Sequence, residues 1–92
     1  MKVVDYKVPN GKMLKIKLES EKDMIRSITI LGDFFLHPET TIEDIESALI
    51  GCKIDISSIT ILIQDVLKNS DSTLIGAEPI DIAKAIEKAF QQ

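Results

Sequence analysis

Apolar and polar residues alternate through the first third of the chain, and the alternation breaks wherever turn-forming residues gather. Val4, Tyr6 and Val8 alternate with polar neighbours, Pro9-Asn10-Gly11 supplies turn chemistry, and Leu14, Ile16 and Leu18 alternate with Lys15, Lys17 and Glu19. This pattern predicts a β-hairpin: Asn10 and Gly11 tolerate the positive φ of a tight turn, and Pro9, without an amide hydrogen, ends the first strand. Ser20-Glu21-Lys22-Asp23 turns the chain again, and the isoleucine-rich residues 24–31 predict a third strand. After Pro38 the period becomes helical. Thr41 with Asp44 fits a capping box, Ile42, Ile45 and Leu49 share one face, and Gly51 stops a helix over 41–50. Ile59, Ile63 and Val66 predict a second helix over 55–69, although residues 59–63 have strand-like propensity. Pro79 in a first turn, then Ile80, Ala83, Ile86 and Phe90, predict a final amphipathic helix. A three-stranded antiparallel meander followed by three helices packed on one face is an α+β, two-layer domain spanning residues 1–92.

Composition narrows the function. A net charge of -4 disfavours nucleic acid and anionic membranes as partners, because both require clustered Lys and Arg. No stretch approaches the roughly 18 uninterrupted apolar residues of a membrane span, and residues 1–5 hold no apolar leader core, so a cytoplasmic location is expected. The single cysteine, Cys52, excludes an internal disulfide and a Cys-only zinc site held by this chain alone. No metal site is expected.

The run Gly32-Asp33-Phe34-Phe35-Leu36-His37-Pro38-Glu39 is too aromatic for a plain strand exit, holding two of the three phenylalanines of the chain. In an extended backbone Phe34 and Phe35 point to opposite faces, so one enters the core while the other faces outward and suggests an interface. Asp33 has no second carboxylate or histidine at ligand spacing, and capping of nearby amides is its stronger reading over metal ligand or base. Glu39 favours the positive end of the following helix. His37 has no nucleophile paired to it by spacing. Lys12 directly follows Gly11 at the hairpin tip, where it can reach a phosphate or carboxylate held by another protein, although no P-loop pattern is present. Lys12, Lys15 and Lys17 are expected to meet Tyr6 and Lys7 across the hairpin, giving a basic patch on an otherwise acidic protein.

Taken together, Lys7-x-x-x-Gly11-Lys12-Met13-Leu14, Ile28-x-Ile30-x-Gly32-Asp33-Phe34-Phe35-Leu36-x-Pro38-Glu39 and Ile45-Glu46-x-Ala48-Leu49-x-Gly51 resemble the C-terminal accessory domain of lipoate–protein ligases. Ile75-Gly76 and Ile82-Ala83-x-Ala85-Ile86 extend the resemblance over nearly the whole chain, with Met13 where leucine is more usual. In some archaea and bacteria this domain is a separate second subunit. The resemblance implies a heterodimer with a large catalytic subunit that carries the lipoate and ATP sites. The accessory domain serves the first half-reaction, in which lipoate and ATP give lipoyl-adenylate, and the lipoyl group then passes to a lysine of an acceptor domain. It further implies that this chain has no catalytic residues and binds no cofactor alone, while the complex uses ATP, Mg and lipoate. In that setting Gly11 and Lys12 complete the active site, and Gly32, Asp33, Phe34, Phe35, Pro38 and Glu39 form the docking motif. The implied fold is similar to that of sulfur-acceptor and iron–sulfur scaffold proteins, so a rival reading makes Cys52 a persulfide carrier. A regulatory interaction module is a third.

Overall fold

The computed structural model describes residues 1–9 and 11–92, so the turn role expected of Asn10 lies outside the described residues. Strands β1 (Lys2–Lys7), β2 (Met13–Glu21) and β3 (Met24–Gly32) form the expected antiparallel meander in the order β1-β2-β3. The first strand ends before Pro9, and the turn closes with the Val8 N–H donating to the Lys12 carbonyl at 2.8 Å and the Gly11 N–H to the Val8 carbonyl at 2.9 Å.

Burial follows the alternation: Val4, Leu14, Ile16, Leu18, Ile28 and Ile30 all face the helices. Ile25 is out of phase with Ile28 by simple alternation yet is also buried. The ladder shifts between Glu19↔Ser27 and Ser20↔Ile25, which leaves Arg26 as an extra residue in a bulge and returns Ile25 to the inner face.

The hairpin register corrects the expected basic patch. Lys15 lies opposite Asp5, with an ion pair of 3.9 Å, and Lys17 lies opposite Val3. Tyr6 pairs with Leu14 and turns to the helix side, where the Lys88 ammonium sits 5.7 Å from its ring centre. The tight turn after Val8 sets this register, so Lys7 meets Met13 and no lysine of β2 faces Tyr6.

Helices α1 (Thr41–Leu49), α2 (Ile56–Asn69) and α3 (Pro79–Phe90) match the predicted ones to within a residue. Helix α1 packs on β3, α3 on β1 and β2, and α2 against both of these helices. Gly51, with φ 84, ends α1 as expected. The start of α1 differs: Thr41 is buried and its hydroxyl is paired with that of Ser72 at 2.8 Å, so it forms no capping box with Asp44. Capping occurs elsewhere. The Asp55 carboxylate accepts from the Ser58 N–H at 3.0 Å ahead of α2, and the Asp81 carboxylate accepts from the Glu78 N–H at 2.9 Å ahead of α3. In α3, Ile82, Ala83, Ala85, Ile86 and Ala89 are buried while Ile80 is exposed, so the inner face is rotated from the one its larger residues suggested. Three alanines on that face let α3 lie close to the sheet. Lys2 tethers its far end, donating to the Phe90 carbonyl at 2.7 Å.

Two elements were absent from the sequence reading. Strands β4 (Phe35–His37) and β5 (Thr73–Ile75) pair antiparallel in a short ribbon beyond the end of β3.

The outer edge of β3 is covered. Ile25 exchanges hydrogen bonds with residues 51 and 52, and the Ile30 N–H donates to the Glu46 carboxylate at 2.8 Å. Glu46→Ala is expected to cost about 1–2 kcal/mol by leaving that amide unsatisfied. A thermal melt checks this: Glu46→Gln, which keeps an acceptor, should recover most of the loss.

Candidate functional site

The two motifs singled out in the sequence meet at one end of the meander. Gly32 closes β3 opposite Leu14. A Cβ placed on Gly32 would lie 2.5 Å from the Met13 carbonyl oxygen and 3.1 Å from the Leu14 Cα, so the approach of the two backbones requires glycine there. The same Met13 carbonyl accepts the Asp33 N–H at 2.9 Å. That hydrogen bond fixes the strand exit next to the hairpin tip, where Gly11, with φ 91, leads into an exposed Lys12.

Beyond the exit the chain turns along β5. Phe34 is half-buried and packs on the core, whereas Phe35 is 68% exposed, so the two rings do point apart. Gly76, with φ 98, passes Phe34 so closely that a Cβ there would sit 3.3 Å from the Phe34 Cα. Phe35 pairs with Ile75 across the ribbon, and Ile75 is 62% exposed. Leu36 returns to the core, and a cis peptide joins His37 to Pro38. His37 is exposed and pairs with Thr73.

Asp33 does not cap nearby amides with its side chain. Asp33 is exposed, and its carboxylate has no hydrogen-bond or ion-pair partner among the described residues. The backbone amide, not the side chain, holds this turn. Glu39 meets the start of α1 through its carbonyl, which accepts the Ile42 N–H at 3.2 Å, and its carboxylate is likewise exposed.

Leu31, Phe34, Phe35, Leu36 and Ile42 line an open groove here, with Glu39 at its margin and a volume of about 290 Å³. Small-molecule sites usually enclose roughly 300–1,000 Å³ and bring several polar groups together. This groove is open and mostly apolar in its lining, a shape that suits an inserted side chain better than a cofactor. Among the described residues no three His, Cys, Asp or Glu side chains converge in a way that could hold a metal ion. No described helix is long and apolar enough to cross a membrane.

Three residues of this end, Met13, Leu31 and Ile75, were not singled out as surface groups by the sequence reading. All are exposed apolar side chains. Met13 and Leu31 occupy outward positions of strands whose other outward residues are mostly polar, and that departure from alternation was the available signal.

Cys52 lies away from this end, beside Met24 and Lys53 at the start of β3. It is half-buried and its thiol donates to the Lys53 carbonyl at 3.2 Å. Burial, and then the negative charge of Asp55, push the thiol pKa above its usual range. Ser58 holds the Asp55 carboxyl below its own usual value through its N–H and hydroxyl, so that charge persists at neutral pH. A sulfur carrier needs a thiolate, and these surroundings oppose one. Iodoacetamide should therefore label Cys52 more slowly than free glutathione at pH 7, with the rate still rising at pH values where a free thiol has levelled off. Labelling as fast as glutathione would contradict this.

Residues 4–87 match the family described as bacterial lipoate protein ligase C-terminus. Lipoate-protein ligase A subunit 2 of Thermoplasma acidophilum is 32% identical over 82 residues, which cover 89% of this chain and 83% of that protein. A solved chain from an archaeal lipoylation system of Thermoplasma acidophilum, described as a bi-partite lipoate protein ligase and its E2 lipoyl domain, superimposes with a TM-score of 0.76. It is 30% identical, and the match covers 94% of each chain.

Proposed function

The chain belongs to the lipoate protein ligase C-terminal family, and from that premise we propose that it is the accessory subunit of a two-subunit, cytoplasmic lipoate–protein ligase. The observation that carries this reading is the joining of the Gly11-Lys12 tip to the strand exit at Gly32 and Asp33 through one Met13 carbonyl, in a chain that aligns over most of its length with a separate ligase subunit.

In this reading the large subunit binds ATP, magnesium and lipoate. A carboxylate oxygen of lipoate attacks the α-phosphorus of ATP, pyrophosphate leaves, and the lipoyl group later passes from AMP to the amine of an acceptor lysine. Two anions meet in the first step, so catalysis benefits from added positive charge and excluded water. Lys12 supplies an exposed cation directly after Gly11, and the apolar end of the domain excludes water by docking. Gly32 allows the close backbone approach, Phe34 anchors the exit in the core, Phe35 buries area against the partner, and Pro38 and Glu39 lead into α1. The isolated chain is inactive, and acceptor domains meet it only through the complex.

Affinity purification of the tagged chain from its native cell tests the reading. A large lipoate-ligase subunit should be the main stoichiometric partner. Recovery instead of a cysteine desulfurase would favour the sulfur-carrier role.

A further inference from the structure

The apolar surface at this end of the domain has a defined shape and a defined charge. Phe35 and Ile75 are neighbours across the ribbon, and both are more than three-fifths exposed. Leu31, 46% exposed, lines the groove together with Phe35, and Ile75 adjoins it through its pairing with Phe35. Single exposed apolar residues are ordinary, but a contiguous set around a concave floor marks an interaction site. Ile75 buries little of its side chain within the domain, so burial in this chain's own core does not account for an apolar residue there.

Charge restricts the occupant. Glu39 lines the groove and Asp33 lies between the lining residues Gly32 and Phe34; both are exposed, and neither carboxylate has a hydrogen-bond or ion-pair partner among the described residues. A second copy of the chain would bring these carboxylates toward their own counterparts, and like charges set against each other across an interface cost several kcal/mol. A partner with Lys or Arg beside an apolar side chain meets both requirements, because the side chain fills the floor while the cations pair with the rim. Resting on the accessory-subunit reading, we propose that the groove lined by Leu31 and Phe35, with Ile75 beside Phe35 on the ribbon, receives an apolar side chain from a cationic segment of the large subunit. Ile75 and Leu31 are then central contacts, and Asp33 and Glu39 form the polar rim. Lys12 sits beyond this contact, toward the reacting groups.

The test measures affinity of the full chain for the purified large subunit by titration calorimetry. Ile75→Glu should weaken binding at least 30-fold, since it places a desolvated charge at the centre of the contact. The double reversal Asp33→Lys with Glu39→Lys should weaken binding about 10-fold or more, with the difference shrinking as salt is raised. Ile61→Glu, at an exposed position of α2, should leave affinity unchanged. As a measurement independent of these variants' folding, a photo-crosslinking residue at position 75 should capture the large subunit, and one at position 61 should not. Wild-type affinity in both groove variants, with capture from 61 and not from 75, overturns this surface while a working wild-type pair leaves the accessory role intact. Failure of the wild-type chain to bind the large subunit at all overturns the functional reading, and this inference with it.

Discussion

Lys12→Ala is expected to slow lipoyl-adenylate formation by the reconstituted pair roughly 100-fold, with the two subunits still binding normally. The magnitude follows from what one preorganised charge or donor contributes at a developing anion, about 2.7–4 kcal/mol. The local structure makes the lysine suitable for that task. Gly11 adopts φ 91, and a Cβ built on it would meet nothing within 4 Å beyond its chain neighbours, so Lys12 follows an exposed glycine on the surface. Behind it, the Val8 N–H to Lys12 carbonyl bond and the Asp33 N–H to Met13 carbonyl bond hold the backbone on both sides. Lys12→Arg keeps the charge and should restore part of the rate, while Lys84→Ala, on an exposed position of α3, should have no effect. An unchanged rate in Lys12→Ala, measured as pyrophosphate release with lipoate and ATP, would remove Lys12 from the active site.

Gly32→Ala should lower stability by roughly 2–3 kcal/mol, the cost of overpacking against atoms that cannot retreat. For a domain of this size that is a fall of about 10–20 °C in Tm. The obstructing atoms are the Met13 carbonyl oxygen and the Leu14 Cα, backbone atoms at the end of the β2–β3 ladder, and that carbonyl also holds Asp33. Gly11→Ala provides the comparison. Its Cβ meets open space, so only the positive φ opposes it, at about 1–2 kcal/mol. A Gly32→Ala melt equal to wild type would mean that the two motifs are not held together by close backbone contact.

Much of the fold was legible because its elements are long enough to repeat their period. The meander is written in Leu14, Ile16 and Leu18, and α2 in Ile59 and Ile63, all of them buried. Local rules failed where a distant partner decided the outcome. Thr41 resembles a cap, yet Ser72 takes its hydroxyl. The ribbon of β4 and β5 has three residues in each strand, too few to show alternation, and its strands are joined only after two helices intervene. The sheet register could not be read from β1 and β2 alone, since the turn places Lys15 against Asp5.

The candidate site was legible in part. Gly32 and the opposed faces of Phe34 and Phe35 were readable from residue type and backbone geometry, and the structure has both features. Asp33 suggests capping because such a role is local, but its carboxylate accepts no hydrogen bond among the described residues, while Glu39 stands just ahead of α1. The contribution of Ile75 depends on its pairing with Phe35, which no neighbouring residue announces.

The most direct measurement is lipoate-dependent exchange of labelled pyrophosphate into ATP by the purified large subunit, with and without this chain. Exchange should be near background for either protein alone and rise at least 100-fold when they are mixed, saturating at one chain per large subunit. Full exchange by the large subunit alone, unaffected by adding this chain, would contradict the accessory role.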